Sequence, residues 1–346
     1  MCYFYYYRYP FDPAIGQRHG DPIADQYGII QYADRSCIIA VADGCNWGER
    51  PCEAAVRARD GFLAYLHRKR AKLVNSVQAV HYMLRGFNRA HEAIFRDKDQ
   101  PGDAGSTTLI GAVVLPVASN SPNPATEPLP SKSKVSDQSP STSSGASGGG
   151  EGGDTPAWQL ITASVGDCRG YLLSDGAFKP IGEHLYEPTG RDPGGRLGSW
   201  VSDHPDLRNL AIHSCPVQSG DMLLFWTDGV TDNLDARHLG KLPLDIPGLE
   251  EYPNDWAEVP SAATPVVERN LQSTVRAIIG DRTDPAGIVT SLVQHCLDTT
   301  RSSRTWMLEN PGRRLPRDYK LFPGKMDHTT CLCVQIVPHI DTHLSL

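Results

Sequence analysis

Two apolar, β-branched runs, Thr108 to Leu115 and Trp158 to Val165, flank a stretch that cannot pack. From Pro116 to Pro156, 23 of 41 residues are Ser, Pro or Gly, ending in SSGASGGGEGGD. Such a composition buries too little apolar surface to offset the entropy of ordering it, so a disordered loop is expected there. The constraint falls on its neighbours. The simplest arrangement is a hairpin of two strands with the insertion at its tip, not a linker between domains. Closure entropy grows only logarithmically with loop length, so one domain over 1–346 tolerates such an insertion.

The remaining pattern comes in blocks. Gly28 to Tyr32 and Cys37 to Ala42 read as strands joined by a turn at 33–36. A helix is expected from about Pro51 through Leu66, with Pro51 at its first position. A second, roughly Leu73 to Arg96, carries Val77, Val80, Leu84, Phe87, Ala90 and Ile94 at helical spacing. Gly170 to Leu173, Met222 to Thr227 and Cys331 to Val337 read as strands, and Ile288 to Leu297 as a helix. Asp235 to Pro285 looks irregular. Strands at both ends with helices in blocks predict an α+β sandwich rather than a βαβ repeat.

Composition excludes some functions. A net charge of −7 argues against a nucleic-acid partner, which demands basic residues. No apolar stretch approaches the roughly 20 residues of a membrane-spanning helix. The start, MCYFYYYRYP, carries Arg8 and lacks the apolar core of a signal peptide. Nine cysteines without a CxxC pair predict mostly free thiols and an intracellular (cytoplasmic or nuclear) protein.

Four apolar runs deliver an aspartate at or beside one end: IIAVADG with Asp43, LLFWTDG with Asp228, KMDHTT with Asp327 and ITASVGD with Asp167. A carboxylate at the end of a buried strand is costly unless something compensates its charge. Hard cations such as Mg²⁺ and Mn²⁺ prefer oxygen ligands, and a pair of them can polarise a water toward a phosphoryl group. A glycine after the aspartate lets main chain approach the ion. Asp-Gly is also a common turn, the reading taken for Asp175-Gly176, and Asp167 reads as readily as an acceptor for loop amides.

In order, the chain shows Ala24-Asp25, VADGCNWG (41–48), GSTT (105–108), SVGDCRGYLL (164–173), LLFWTDGVTD (223–232) and MDHTTCLCVQIV (326–337). This set resembles the metal-dependent protein phosphatases of the PPM or PP2C type, whose motifs run approximately ED, DGHGG, GSTA, NVGDSRA, SDGLWD and DNMT. Outside the insertion and 235–285 it covers nearly the whole chain. The resemblance implies a four-layer α-β-β-α sandwich of two mostly antiparallel sheets. It implies two Mg²⁺ or Mn²⁺ ions bridged by Asp43, with the Gly44 carbonyl at one, Asp228 and Asp327 at the other, and Asp25 in support. Metal-activated water would be the nucleophile, with phosphoserine or phosphothreonine of a phosphoprotein as substrate.

The departures are specific. Ala24 stands where the family has glutamate, Cys45 where many members have histidine, and the DGCNWG loop is one residue longer. Gly20 falls where eukaryotic members place a phosphate-binding arginine, leaving Arg18 as a substitute or as a plain surface residue. RDPGGRLG (191–198) reads as a flap beside the site or as a turn-rich loop. These features keep open a pseudophosphatase that binds partners without turnover, and an unrelated sandwich with structural aspartates is a third reading. The Ser/Thr-rich insertion at 116–156 offers phosphorylation sites and a docking place for a regulatory partner, or is a tolerated insertion of no consequence.

Overall fold

The computed structural model describes residues 2–7, 9–13, 16–117, 158–182, 192–200, 203–252 and 254–337. Its principal strands are β1 (Cys2–Tyr7), β2 (Gln26–Gln31), β3 (Cys37–Ala42), β4 (Leu109–Pro116), β5 (Trp158–Val165), β6 (Arg169–Ser174), β7 (Ala177–Pro180), β8 (Ala211–Val217), β9 (Met222–Trp226) and β10 (Thr329–Gln335). They form two five-stranded sheets, ordered β8-β5-β4-β3-β2 and β1-β10-β9-β6-β7, with every neighbouring pair antiparallel. β4 and β5 pair along their lengths, from Leu109 opposite Val165 to Pro116 opposite Trp158. The hairpin expected on either side of the insertion is therefore present. Residues 118–157, on which the expectation of disorder falls, lie outside the described residues.

Side chains alternate along a strand, so a strand apolar at every position has two faces to bury. In β3, Cys37, Ile39 and Val41 meet Ile110, Leu223, Phe225 and Leu332 between the sheets. Its other face, Ile38, Ala40 and Ala42, packs under α1 (Glu49–Arg68) and α2 (Ser76–Ile94). On the far side, α3 (Thr264–Ile279) and α4 (Pro285–Thr299) cover Tyr171, Leu224, Trp226, Cys331 and Cys333 of the second sheet. The architecture is the expected sandwich, helices outside two antiparallel sheets.

Several local expectations change. Pro51 is the third residue of α1, still within the first turn, where a missing N–H loses no helical bond. In α2 the buried stripe is Ala79, Met83, Phe87, Ala90 and Ile94, whereas Val77 is 74% exposed and Leu84 37%. Phe87, Ala90 and Ile94 are buried as expected, whereas Ala79 and Met83 take the core positions expected of Val77 and Leu84. The section expected to be irregular holds α3, whose core contacts rest on Leu271, Val275 and Ile279, one per turn. β8, also unforeseen, is an edge strand with alternating exposure that accommodates Pro216 opposite Gln159.

Antiparallel pairing brings strand starts beside strand ends. Gln26 is opposite Ala42, so Asp25 and Asp43 emerge together from one sheet. Trp226 is opposite Cys331, so the segments carrying Asp228 and Asp327 emerge together from the other.

Candidate active site

At this end the two sheets meet through hydrogen bonds between buried groups. Thr227 Oγ1 donates to Asp25 Oδ2 at 2.7 Å and accepts from the Thr330 amide at 3.1 Å. Asp25 is fully buried, and its Oδ1 has no hydrogen-bond partner among the described residues. Asp43 is oriented by the GSTT segment: its carbonyl accepts from the Thr108 amide at 2.8 Å and from Thr107 Oγ1 at 2.7 Å. Asp228 opens a four-residue helical turn, Asp228–Thr231, followed by Asp232.

Lys325 stands among the carboxylates of the second sheet. Its Nζ lies 2.6 Å from Asp232 Oδ2, 3.1 Å from Asp228 Oδ2 and 3.3 Å from Asp327 Oδ2. Burial and mutual repulsion set the protonation of the cluster. Burial pushes Asp25 up to about 8, against the hydroxyls of Thr227 and Thr330 and reinforced by Asp228 and Asp327. Burial likewise raises Asp327 to about 7, with Asp228 adding to it and Lys325 opposing. Asp43 is raised by burial and by Asp25 and Asp228. Asp167 reaches about 7 through burial and the charges of Asp228 and Asp232, which makes it a member of this cluster. Burial would raise Asp232 too, but Lys325 and His238 hold it well below the usual carboxylate range.

Asp25, Asp43, Asp228 and Asp327, expected from the sequence, are thus brought into one electrostatic neighbourhood. Gly44 lies in the same loop, where a side chain has no room: a Cβ would come within 2.5 Å of the Pro51 carbonyl oxygen. Ala24 is fully buried; its carbonyl accepts from the Gly44 amide at 3.3 Å and its amide donates to His328 Nδ1 at 3.3 Å. Arg18 Nη1 donates to the Tyr9 carbonyl at 2.8 Å. Burial pushes the Cys45 thiol up to about 11, so it is protonated at neutral pH. Leu197 and Gly198 pair with Thr107 and Ser106, and Gly44 bridges to Thr107, which lays the described part of the glycine-rich segment against the Asp43 loop. Asp232, Thr227 and Lys325 all lie within motifs read from the sequence, which give none of them a role. Only the meeting of Asp228, Asp232 and Asp327 in space gives Lys325 its meaning.

The donors are oxygens of the kind that hard divalent cations take, and their repulsion is of the kind a cation relieves. In that chemical sense the residues fit Mg²⁺ or Mn²⁺. Among the described residues, however, no three His, Cys, Asp or Glu side chains are already drawn together as a cation cage, and the charge among them is an ammonium.

Sandwich, motif order and acidic sheet ends together define the PP2C-like phosphatase fold. The chain is 28% identical over 227 residues to the PP2C-like domain-containing protein CG9801 of Drosophila melanogaster, a match covering 62% of this chain and 26% of that protein. The matched region thus spans about a quarter of the length of that curated relative. A solved bacterial serine phosphatase, in mutant form, superposes with a TM-score of 0.51 at 14% identity, covering 97% of this chain and 98% of the other. The photosystem II phosphatase PBCP gives 0.49 at 14% identity, over 97% and 99%. No protein-family model matches. The chain is thus similar in sequence to one PP2C-like domain and shares the fold of the bacterial serine phosphatase.

Proposed function

We propose that this chain is a metal-dependent phosphatase that hydrolyses phosphate monoesters, with phosphoserine and phosphothreonine of proteins as substrates. The observation that carries the reading is the convergence of Asp25 and Asp43 from one sheet with Asp228 and Asp327 from the other. In this reading Asp43, the Gly44 carbonyl, Asp228 and Asp327 would hold Mg²⁺ or Mn²⁺ ions, and Asp25 would support the cluster. When bound, such ions supply a polarised water and neutralise charge developing on the phosphoryl group.

The chain's own residues supply position. Thr227 fixes the Asp25 carboxyl, and Thr107 and Thr108 fix the main chain of Asp43. Cys45 stands where many family members have histidine, and burial keeps its thiol protonated at neutral pH, so no imidazole is available there as a general acid. Arg18 is the arginine nearest in sequence to the family's phosphate-binding position, and its Nη1 is held by the Tyr9 carbonyl.

The test is release of inorganic phosphate from phosphoserine, phosphothreonine and phosphotyrosine peptides in Mn²⁺ and in EDTA. The expected result is release from the first two only, and only with metal. Absence of metal-dependent release from every peptide would contradict the reading.

A further inference from the structure

We propose that the Lys325 ammonium is a built-in cation at the Asp228–Asp327 end of the cluster, where a divalent ion binds only by displacing it. The inference rests on reading those carboxylates as metal ligands, and it concerns what this chain does to that site.

Position carries it first. Two of the three carboxylate oxygens around Nζ, Asp228 Oδ2 and Asp327 Oδ2, belong to the carboxylates expected to hold an ion. A divalent ion sits about 2.1 Å from such oxygens. With Nζ already 3.1 and 3.3 Å from the same atoms, ammonium and ion would be pressed together, and like charges at that range repel strongly. Asp232 anchors the lysine more closely still, at 2.6 Å.

A second observation is independent of the charges. The Lys325 main chain is clamped by one side chain: its amide donates to Asn233 Oδ1 at 3.2 Å, and Asn233 Nδ2 donates to its carbonyl at 3.1 Å. The same Nδ2 reaches the Gly229 carbonyl at 2.7 Å. Asn233 therefore binds the lysine's loop directly to the turn that carries Asp228. The Lys325 side chain is only 33% exposed, so it is held over the carboxylates and not spread on the surface. The Asp25–Asp43 side is bounded instead by threonine hydroxyls and main chain. The two ends of the cluster differ accordingly: among the described residues no side-chain cation is paired with Asp25 or Asp43, whereas an ion at the other end meets a resident ammonium. Divalent-ion occupancy of the second position becomes conditional on ion concentration.

The experiment is Mn²⁺ binding to the full chain, followed by paramagnetic resonance of free Mn²⁺, for the wild type, Lys325→Met and Lys325→Arg. The wild type should bind one ion readily and a second at least about tenfold more weakly. Lys325→Met should tighten the second ion by about tenfold or more, while Lys325→Arg, which keeps the charge, should bind as the wild type does. Should Lys325→Met fail to fold, acylation of amines in the wild type, read by mass spectrometry, decides: Lys325 should become more reactive as Mn²⁺ fills the second site. Identical isotherms for the wild type and Lys325→Met, or Lys325 labelling indifferent to Mn²⁺, would overturn the inference and leave the metal-centre reading standing. No Mn²⁺ binding in any form would overturn both.

Discussion

Gly229→Ala is expected to cost about 3 kcal/mol of stability and at least about a hundredfold in metal-dependent turnover. A Cβ at this position would stand 1.9 Å from the His328 carbonyl oxygen and 2.9 Å from Thr329 Oγ1. The closer obstacle is main chain, which has no rotamer to change. Relief comes only by parting the turn after Asp228 from the segment holding Asp327 and His328, and those carry half of the carboxylate cluster. A displacement of about 1 Å suffices to spoil the alignment of reacting groups. Gly176→Ala is the control: nothing lies within 4 Å of its Cβ, and the residue only suffers a positive φ of 70° in the β6–β7 turn. It should lose about 1 kcal/mol and keep its turnover. Urea unfolding and Mn²⁺-dependent hydrolysis of both variants check the pair. Full turnover in Gly229→Ala would show that the close approach of these turns is unimportant.

Without divalent cation, stability should fall as pH rises from about 4 to about 8. The folded protein keeps protons on Asp25 up to about 8 and on Asp167 and Asp327 up to about 7, whereas the unfolded chain releases them near 3.8. Within that window the folded state binds more protons than the unfolded state, so each step up in pH favours unfolding. The penalty is absent below the unfolded value and complete above the folded ones. Its size is on the order of several kcal/mol, a large part of a typical domain's stability. Asp232, held below the usual range, acts with the opposite sign but below pH 4, outside the window. Mn²⁺ should flatten the dependence, because ions bind the deprotonated carboxylates. Denaturation at pH 5, 6.5 and 8 in EDTA and in Mn²⁺ measures this. Stability that is constant or rises with pH in EDTA would contradict it.

What could be read from the sequence follows the physics of each segment. Asp43 and Asp228 were visible because each ends an apolar run of strand length, and the hairpin across 116–156 because two such runs flank it. The Asp175-Gly176 turn was visible because both residues tolerate positive φ, which they adopt at 47° and 70°. α3 was hidden because only one residue per turn is fully buried in a segment that is half polar, and β8 because an edge strand with a proline resembles a loop. In α2 the spacing of Phe87, Ala90 and Ile94 marks the buried face, but Ala79 and Met83, not Val77 and Leu84, complete it. Lys325 was invisible for a different reason. Its partners Asp228 and Asp232 lie 97 and 93 residues away, and no local pattern connects them.

The central claim is most directly tested by hydrolysis of p-nitrophenyl phosphate by the full chain in millimolar Mn²⁺, beside EDTA and an Asp228→Asn variant shown to be folded. The account predicts turnover that requires metal and disappears in Asp228→Asn. Turnover indifferent to EDTA and to Asp228→Asn, or none at all from folded wild-type protein in Mn²⁺, would contradict it.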